Sequence, residues 1–139
     1  MKCLIPWFIL MILVLRTNFL QSQDIKSYKW KNRIIILTDT TAALSNSFKE
    51  LNRFSPYSKE LLERDVILML YHKGKLFNSN NTLLYSGVSI AIEPGFCGSI
   101  LIGKDGEIKF KSVYPTDPKS IFELIDGMPM RKAEMKSKQ

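Results

Sequence analysis

The 139-residue chain has the length of a single domain, and its apolar and charged fractions of 45% and 24% exclude a disordered or fibrous protein. Its formal net charge of +7 at pH 7 makes it mildly basic. Two cysteines and one histidine are too few ligands for a structural zinc site within one chain, so no metal site is expected.

The amino-terminal residues 1–23 predict a secretory signal peptide. Lys2 supplies a positive start, and Cys3–Leu15 is an unbroken apolar stretch that is shorter than the ~20 residues of an ordinary membrane span. Arg16 ends this stretch, and cleavage is expected near Ser22. The pattern predicts a secreted or periplasmic protein with no stable membrane span after cleavage. The alternative is an uncleaved anchor.

Removal of this leader would change both the charge and the thiol content. The remaining chain, a domain at 24–135 and a basic tail predicted to be disordered at 136–139, carries 18 basic and 13 acidic residues. Cys97 is then the only thiol, which excludes an internal disulfide. The basic residues near the carboxyl terminus are not interleaved with aromatic ones, so no nucleic-acid partner is expected.

The first half of the domain predicts a strand, a helix and a second strand. Arg33–Thr38 contains a continuous apolar run, which is typical of a strand buried on both faces. Apolar residues at helical spacing follow from Leu44 onwards, and Ser55-Pro56 ends that helix. Asp65–Tyr71 is a second buried run, so this βαβ order predicts two parallel neighbouring strands.

The next two segments carry weaker signals. His72–Asn81 is rich in Gly, Lys, Ser and Asn, which predicts a loop. This loop includes Asn80 in an Asn-Asn-Thr sequon, which is a glycosylation site if the source is eukaryotic. Leu83–Ile92 ends in alternating apolar and small residues, which fits an extra strand without establishing one.

The last part of the domain predicts a β-hairpin and a helix. Ser99–Gly103 and Glu107–Tyr114 have strand patterns, and Asp105-Gly106 between them favours a tight hairpin turn. Asp117 is predicted to cap a final helix that ends before Pro129. The predicted core comprises Ile34, Ile36, Leu44, Phe48, Leu51, Val66, Leu68, Leu70, Ile100, Ile102, Phe122 and Ile125.

The element order and four short motifs point to one family. The motifs are Trp30–Arg33 (WKNR), Glu63–Asp65 (ERD), Leu101–Lys109 (LIGKDGEIK) and Leu124–Arg131 (LIDGMPMR), the last followed by Glu134-Met135. They resemble the domain of unknown function 4174, also called P-DUDES, which is found in sushi-repeat-containing extracellular proteins and equarin. The resemblance covers nearly the whole chain after the leader. It implies an α/β, thioredoxin-like fold with a central mixed sheet and flanking helices, and an extracellular setting.

A fold of this kind has its usual active site just after the first strand. A thioredoxin-type enzyme carries a reactive thiol there, at the start of the following helix, whose amides and dipole lower the thiol pKa. Thr38, Asp39, Thr40 and Thr41 occupy that place here, with no Cys-x-x-Cys pair. Asp39 or Thr40 is predicted to cap the helix instead.

Cys97 and His72 are the remaining candidates for chemistry. Cys97 lies in a turn that contains Pro94, and the resemblance implies a cis-proline in the turn before this hairpin. The thiol either reaches the loop after the first strand from the opposite wall or is a buried structural group beside Phe96. His72 is either a base or a solvated loop residue. No catalytic residue is therefore assigned.

These features favour a non-catalytic binding or structural module over an enzyme. The expected partner is an unidentified protein of the extracellular matrix or the cell envelope, and no cofactor is expected. The alternative is a peroxiredoxin-like redox enzyme that uses Cys97 as its single thiol. A third hypothesis is a small-ligand carrier that uses the loops Thr38–Thr41 and Glu93–Cys97.

Overall fold

The computed structural model describes residues 25–139, so the predicted signal peptide lies outside the described residues. The strands are β1 (Arg33–Thr38), β2 (Val66–His72), β3 (Lys75–Asn78), β4 (Leu83–Tyr85), β5 (Gly98–Ile102) and β6 (Ile108–Val113). The helices are α1 (Ser45–Phe54), α2 (Ser58–Glu63), α3 (Pro118–Asp126) and α4 (Pro129–Ser137), with short 3-10 helices at Ile25–Tyr28 and Ser55–Tyr57. The strands form one sheet in the order β4-β3-β2-β1-β5-β6.

β1 lies in the interior of the sheet, as its continuous apolar run predicts. All six of its residues are buried. It runs parallel to β2, with Arg33 opposite Val66, and antiparallel to β5, with Ile36 opposite Ile100. The predicted βαβ unit is therefore confirmed, with α1 and α2 in its crossover.

The two faces of the sheet are covered by different kinds of structure. Alternate side chains of β1 point to opposite faces, so each face has its own core. The core on the helix-covered face includes Ile35, Leu37, Leu44, Phe54, Leu61, Ile121, Phe122 and Ile125. The core on the other face includes Ile34, Ile36, Met69, Leu76, Val88 and Ile100, and Ile90, Ile92 and Phe96 pack against it. The segment 86–97, which is neither helix nor strand, therefore covers much of the second face.

The predicted core is largely the observed one. Phe48, Leu51 and Leu68 differ, because they are only half-buried at the edge of the helix-covered core. Phe54 is fully buried although it was not among the predicted core residues, because it ends the apolar stripe of α1. Burying an apolar side chain of this size contributes about 1.5–3 kcal/mol to folding.

The loop predicted at His72–Asn81 is instead a hairpin. β3 lies within it and pairs antiparallel with β2 across the two-residue turn Lys73-Gly74. Both turn residues have positive φ angles, 42° and 78°, as a tight hairpin of this length requires. Lysine is an uncommon residue for the first of these positions, so the sequence signal for the turn is weak. In Leu83–Ile92, only Leu83–Tyr85 forms a strand.

The carboxyl-terminal part also differs from its prediction. α3 begins as expected, with the Asp117 carboxylate accepting hydrogen bonds from two first-turn amides at 3.2 and 3.3 Å. Pro129 follows the end of α3 but also begins α4, because its fixed φ and missing N–H are tolerated at the first helical position. α4 extends to Ser137, so the beginning of the tail predicted at 136–139 is helical.

Candidate functional site

The Thr38 side chain ties the end of β1 to the start of β5. Its hydroxyl oxygen accepts a hydrogen bond from the Gly98 amide at 3.0 Å. The hydroxyl donates to the carbonyl oxygen of Gly98 or Phe96, which lie at 3.0 and 3.2 Å. Glycine is required at position 98 because a Cβ there would lie 2.1 Å from the Ser112 carbonyl oxygen. These contacts hold the loop after β1 beside the loop before β5.

Asp39 caps α1 from several residues upstream. Its carboxylate accepts hydrogen bonds from the amides of Thr41 and Ser47, both at 3.0 Å. The N-cap residue itself is Leu44, which has a left-handed φ of 55° and makes no side-chain cap. The prediction that Asp39 or Thr40 is the N-cap residue is therefore wrong in position, although Asp39 does supply the capping carboxylate.

The pKa of Asp39 is lower than that of an ordinary aspartate. Burial by itself raises the pKa, but hydrogen bonds from the amides of Thr41 and Ser47 outweigh that effect, helped by the side chains of Thr41 and Asn46. The carboxylate is therefore charged at neutral pH. It also accepts the hydrogen bond that the Ser47 amide, in the first turn of α1, would otherwise offer to another group.

Cys97 reaches this loop from the opposite wall. The residue is half-buried, and its Sγ donates a hydrogen bond to the Thr38 carbonyl oxygen at 3.7 Å. The Tyr114 hydroxyl donates to the same carbonyl at 2.8 Å. Pro94 lies nearby in sequence and is exposed, whereas the cis peptide bond of the described residues joins Tyr114 to Pro115. The structure therefore brings Cys97 to the loop after β1 without a cis-proline at position 94.

The surroundings of Cys97 raise the pKa of its thiol above the ordinary value. Burial is the main cause, and the charge of Asp39 comes next. The Thr40 amide, which hydrogen-bonds to the sulfur, opposes these effects, and Glu50 adds slightly to them. Because the thiolate is the reactive form, a raised pKa reduces the reactive fraction near neutral pH.

Two further residues complete the site without any signal in the sequence. Glu50 is 3% exposed, and its carboxylate accepts a hydrogen bond from the Thr116 amide at 3.1 Å and pairs with Arg53 at 3.2 Å. Tyr114 has a raised pKa, chiefly because of burial. Both residues are distant from Cys97 in the sequence, so only the tertiary structure brings them close to it.

His72 is the last residue of β2 and is half-buried. Its Nδ1 lies 3.0 Å from the Asp39 carbonyl oxygen. Within residues 25–139 no carboxylate or thiol hydrogen-bonds to its ring. The geometry gives His72 a contact with the loop after β1 but no partner for base catalysis.

A half-open cleft of about 430 Å³ lies between the two loops. Thr38–Thr40 lines one side of the cleft, and Glu93–Phe96 lines the other. The remaining lining residues are three that add apolar surface, Tyr71, Ile90 and Ile92, and the cationic Lys73. Ligand-binding clefts are usually about 300–1,000 Å³ and mostly apolar with a few polar groups. The cleft therefore has the size and the lining of a binding site.

The other predicted features lie elsewhere on the domain. Asn80 is exposed in the turn between β3 and β4, where its amide donates to the Asn78 side chain at 3.0 Å. No group of three or more metal-ligating side chains occurs among the described residues. None of the helices that the structure describes is long and apolar enough to cross a membrane.

The residues of the family motifs meet at the opposite end of β1. We call them the ion-pair cluster, which consists of Arg33, Arg64, Asp65, Lys104, Asp126, Arg131 and Glu134. Arg33 is 1% exposed and binds the Glu134 carboxylate through two nitrogens, each at 3.2 Å. Lys104 pairs with the same carboxylate at 2.7 Å. The motifs that are far apart in sequence therefore form one connected set of charges.

Two solved structures resemble the chain at low sequence identity. One is the mitochondrial 2-Cys peroxiredoxin of Plasmodium falciparum, with a TM-score of 0.51 and 13% identity over 73% of this chain and 78% of that chain. The other is the crystal structure of Trgpx in apo form, with a TM-score of 0.44 and 16% identity over 73% and 85%. The first likeness concerns the fold alone, and the fold is thioredoxin-like, as the sequence predicts.

A family model also matches the chain, whereas no curated protein does. The model is that of the domain of unknown function DUF4174, and it matches residues 24–134. The match spans the four sequence motifs and every member of the ion-pair cluster. The chain therefore belongs to the DUF4174 family.

Proposed function

We propose that this protein is an exported thioredoxin-like domain that binds a partner and does not catalyse thiol chemistry. The observation that carries the proposal is the loop after β1. Asp39 takes the place of a reactive thiol there, and its carboxylate already occupies the Ser47 amide in the first turn of α1. Helix-terminal amides are the groups that would otherwise lower a thiol pKa.

The state of Cys97 supports the same proposal. It is the only cysteine of residues 25–139, so that part of the chain offers no resolving thiol. Its pKa is raised by burial and by Asp39, which disfavours the thiolate. The thiol is hydrogen-bonded to the Thr38 carbonyl oxygen and does not line the cleft.

Export and the choice of partner rest on the leader and on the resemblance. The segment 1–23 has the pattern of a secretory signal, which supports a secreted or periplasmic location. The resemblance to the domain of sushi-repeat-containing extracellular proteins and equarin supports a protein partner in the matrix or the cell envelope. The proposal includes no cofactor and no nucleic acid. Mass spectrometry of the exported product should show a new amino terminus between about Leu20 and Ile25, and intact Met1 in the membrane pellet would contradict export.

The decisive experiment measures the thiol reactivity of the folded protein. Alkylation of Cys97 by iodoacetamide should be slow near neutral pH, with an apparent pKa above that of an ordinary cysteine thiol. The protein should consume hydrogen peroxide no faster than a free thiol does. Cys97→Ser is the control for any residual consumption. An apparent pKa below about 7, together with peroxide turnover that Cys97→Ser abolishes, would overturn the proposal.

Binding itself needs a separate test. Cross-linking of the exported protein in its native compartment should give a defined adduct with a partner protein. A protein that stays monomeric at micromolar concentration and forms no adduct would count against a binding module. The thiol assay and the cross-linking assay therefore test the two halves of the proposal independently.

A second candidate function is a peroxidase with a single thiol. The observation in its favour is the Thr40 amide, which hydrogen-bonds to the Cys97 sulfur and lowers the thiol pKa against the effect of burial. The Cys97 thiolate would attack one peroxide oxygen and become a sulfenic acid, while the other oxygen takes up a proton and leaves as water. Two external thiols would then reduce the sulfenic acid through a mixed disulfide, with release of water.

A further inference from the structure

The cleft between the two loops has one exposed charged side chain that lacks a partner among the described residues. Lys73 is exposed and takes part in no ion pair with any described residue. Its backbone is held by the tight β2–β3 turn, in which Lys73 and Gly74 both have positive φ angles. The turn thus fixes the point from which the lysine side chain reaches into the cleft region.

The acidic residues of the cleft are already engaged. The Asp39 carboxylate accepts hydrogen bonds from Thr41, Asn46 and Ser47, none of which lines the cleft. The Glu93 carboxylate pairs with Lys111. The Asp39 carboxylate has no cationic partner, but it is buried and its oxygens already accept these hydrogen bonds. Lys73 is therefore the exposed charge that is available to an occupant, and the complementary group is an acid.

The rest of the cleft suits an extended chain with apolar side chains. Tyr71, Ile90 and Ile92 are half-buried and line it. They belong to the face of the sheet that the irregular segment 86–97 covers. In the described part of the chain, the backbone amides of Ile90 and Ala91 donate to no carbonyl group. Ile90 lines the cleft, and a free backbone donor beside apolar side chains is a feature that binds an extended peptide.

We propose that this cleft binds an extended segment of a protein partner, in which an acidic side chain flanked by apolar ones pairs with Lys73. This inference rests on the proposed function as a binding module and specifies the chemistry of its partner. A small apolar acid shares part of that chemistry. The half-open shape of the cleft and the free Ile90 amide favour a peptide.

Selection of a random-peptide phage library on the exported protein tests the proposal. Peptides with an acidic residue between apolar residues should be enriched, and a synthetic copy of the best one should bind in isothermal titration. Lys73→Gln should weaken that binding about fivefold, as expected for one exposed ion pair. Lys73→Glu should weaken it further and shift the selection towards basic residues. Lys75→Gln is the matched control, because Lys75 is exposed on the same hairpin but does not line the cleft. It should leave binding unchanged.

The outcomes separate this inference from the proposed function. No enrichment, enrichment without an acid preference, or equal binding by the Lys73 and Lys75 variants would overturn the inference. Binding of decanoate without any peptide would also overturn it, since the occupant would then be a small molecule. A slow, high-pKa thiol together with a cross-linked adduct to a partner protein would leave the proposed function intact in each of these cases. Peptide binding that depends on Lys73 in a protein that also turns over peroxide would overturn the non-catalytic function and keep the inference.

Discussion

The two ends of β1 are built in different ways. At its start, Arg33 is buried among the charges of the ion-pair cluster, which joins β1 to α4 and to the turns after α2 and β5. At its end, Thr38 and Asp39 bind mainly backbone groups of neighbouring loops and leave a cleft open beside them. The first end locks elements together, whereas the second keeps a concave surface accessible.

The residues that identify the family therefore lie apart from the residues that support the function proposed for this chain. The sequence motifs supply the ion-pair cluster, where carboxylates pair with the buried cationic side chains of Arg33, Lys104 and Arg131. The loops around the cleft carry no such motif, but they hold Lys73 without an ion-pair partner and Cys97 without a second thiol in residues 25–139. The family motifs therefore mark a structural end of the domain, and the proposed binding chemistry lies at the opposite end.

Phe122→Ala, on the side of the ion-pair cluster, should cause the largest loss in the free energy of unfolding. Phe122 is 6% exposed, and its ring lies 5.7 Å from the Tyr57 ring and 4.9 Å from the Arg64 guanidinium, measured from the ring centre. Truncating a buried phenylalanine costs about 3–5 kcal/mol, which urea unfolding will measure. Leu124→Ala, at an exposed position of α3, is the control and should cost about 0.5 kcal/mol or less. A loss below about 1 kcal/mol at Phe122 would mean that α3 does not pack as described.

Glu134→Gln tests the ion-pair cluster directly. The substitution removes the charge that pairs with Arg33 and Lys104, and Arg33 is almost fully buried. Breaking a buried ion pair costs about 3–5 kcal/mol, so about 2–3 kcal/mol is expected for a carboxylate that keeps some contact with solvent. Glu107→Gln is the control, because Glu107 pairs with Lys109 on the surface and should leave the free energy of unfolding nearly unchanged. If both variants lose equally little free energy of unfolding, the ion-pair cluster does not stabilise the start of β1 as described.

The elements that were predictable carry their signal in the local sequence. The apolar runs of β1 and β2 and the Asp117 cap of α3 need only neighbouring residues. Both strands and the cap are confirmed, although in β2 only Val66, Met69 and Leu70 are buried. Pro129 shows the limit of such signals. Proline both ends one helix and suits the first position of the next, so the same residue predicts two outcomes.

The candidate site was less predictable because its contacts are made through tertiary structure. The loop after β1 and the absence of a thiol there follow from the sequence. The cap that Asp39 gives to Ser47 spans eight positions, and the contact of Tyr114 with Thr38 spans 76. The β2–β3 turn that places Lys73 at the cleft has no strong turn residue at its first position. No periodicity of the sequence encodes these long-range contacts.

Asp39→Asn should have an intermediate effect, at the cleft end. The substitution keeps the shape of the side chain but removes the charge that faces the first turn of α1, so a loss of about 1–2 kcal/mol is expected near neutral pH. The pKa of Asp39 is lowered in the folded protein, because hydrogen bonds to its carboxylate outweigh burial. Its contribution is therefore complete above about pH 4, the ordinary aspartate range, and is lost as pH falls below that range through the lowered pKa.

Urea unfolding at a series of pH values measures this effect. The wild-type protein should lose stability in acid, and Asp39→Asn should lose correspondingly less over the same range. Thr40→Ala, at the exposed neighbouring position, is the control and should stay within about 0.5 kcal/mol of the wild type at every pH. If the free energy of unfolding falls equally in acid for Asp39→Asn and the wild type, Asp39 does not cap α1 as a carboxylate.

Cys97→Ser should have the smallest effect of the series. Serine keeps a small polar side chain at this position, and Tyr114 donates to the Thr38 carbonyl oxygen at 2.8 Å in either case. Since Cys97 is only half-buried, the free energy of unfolding should change by less than about 1 kcal/mol. Urea unfolding, with Glu134→Gln measured in parallel, gives the comparison. A loss at Cys97 as large as that at Glu134 would make the thiol a structural anchor, and the end of β1 beside the cleft would then be built for stability like its start.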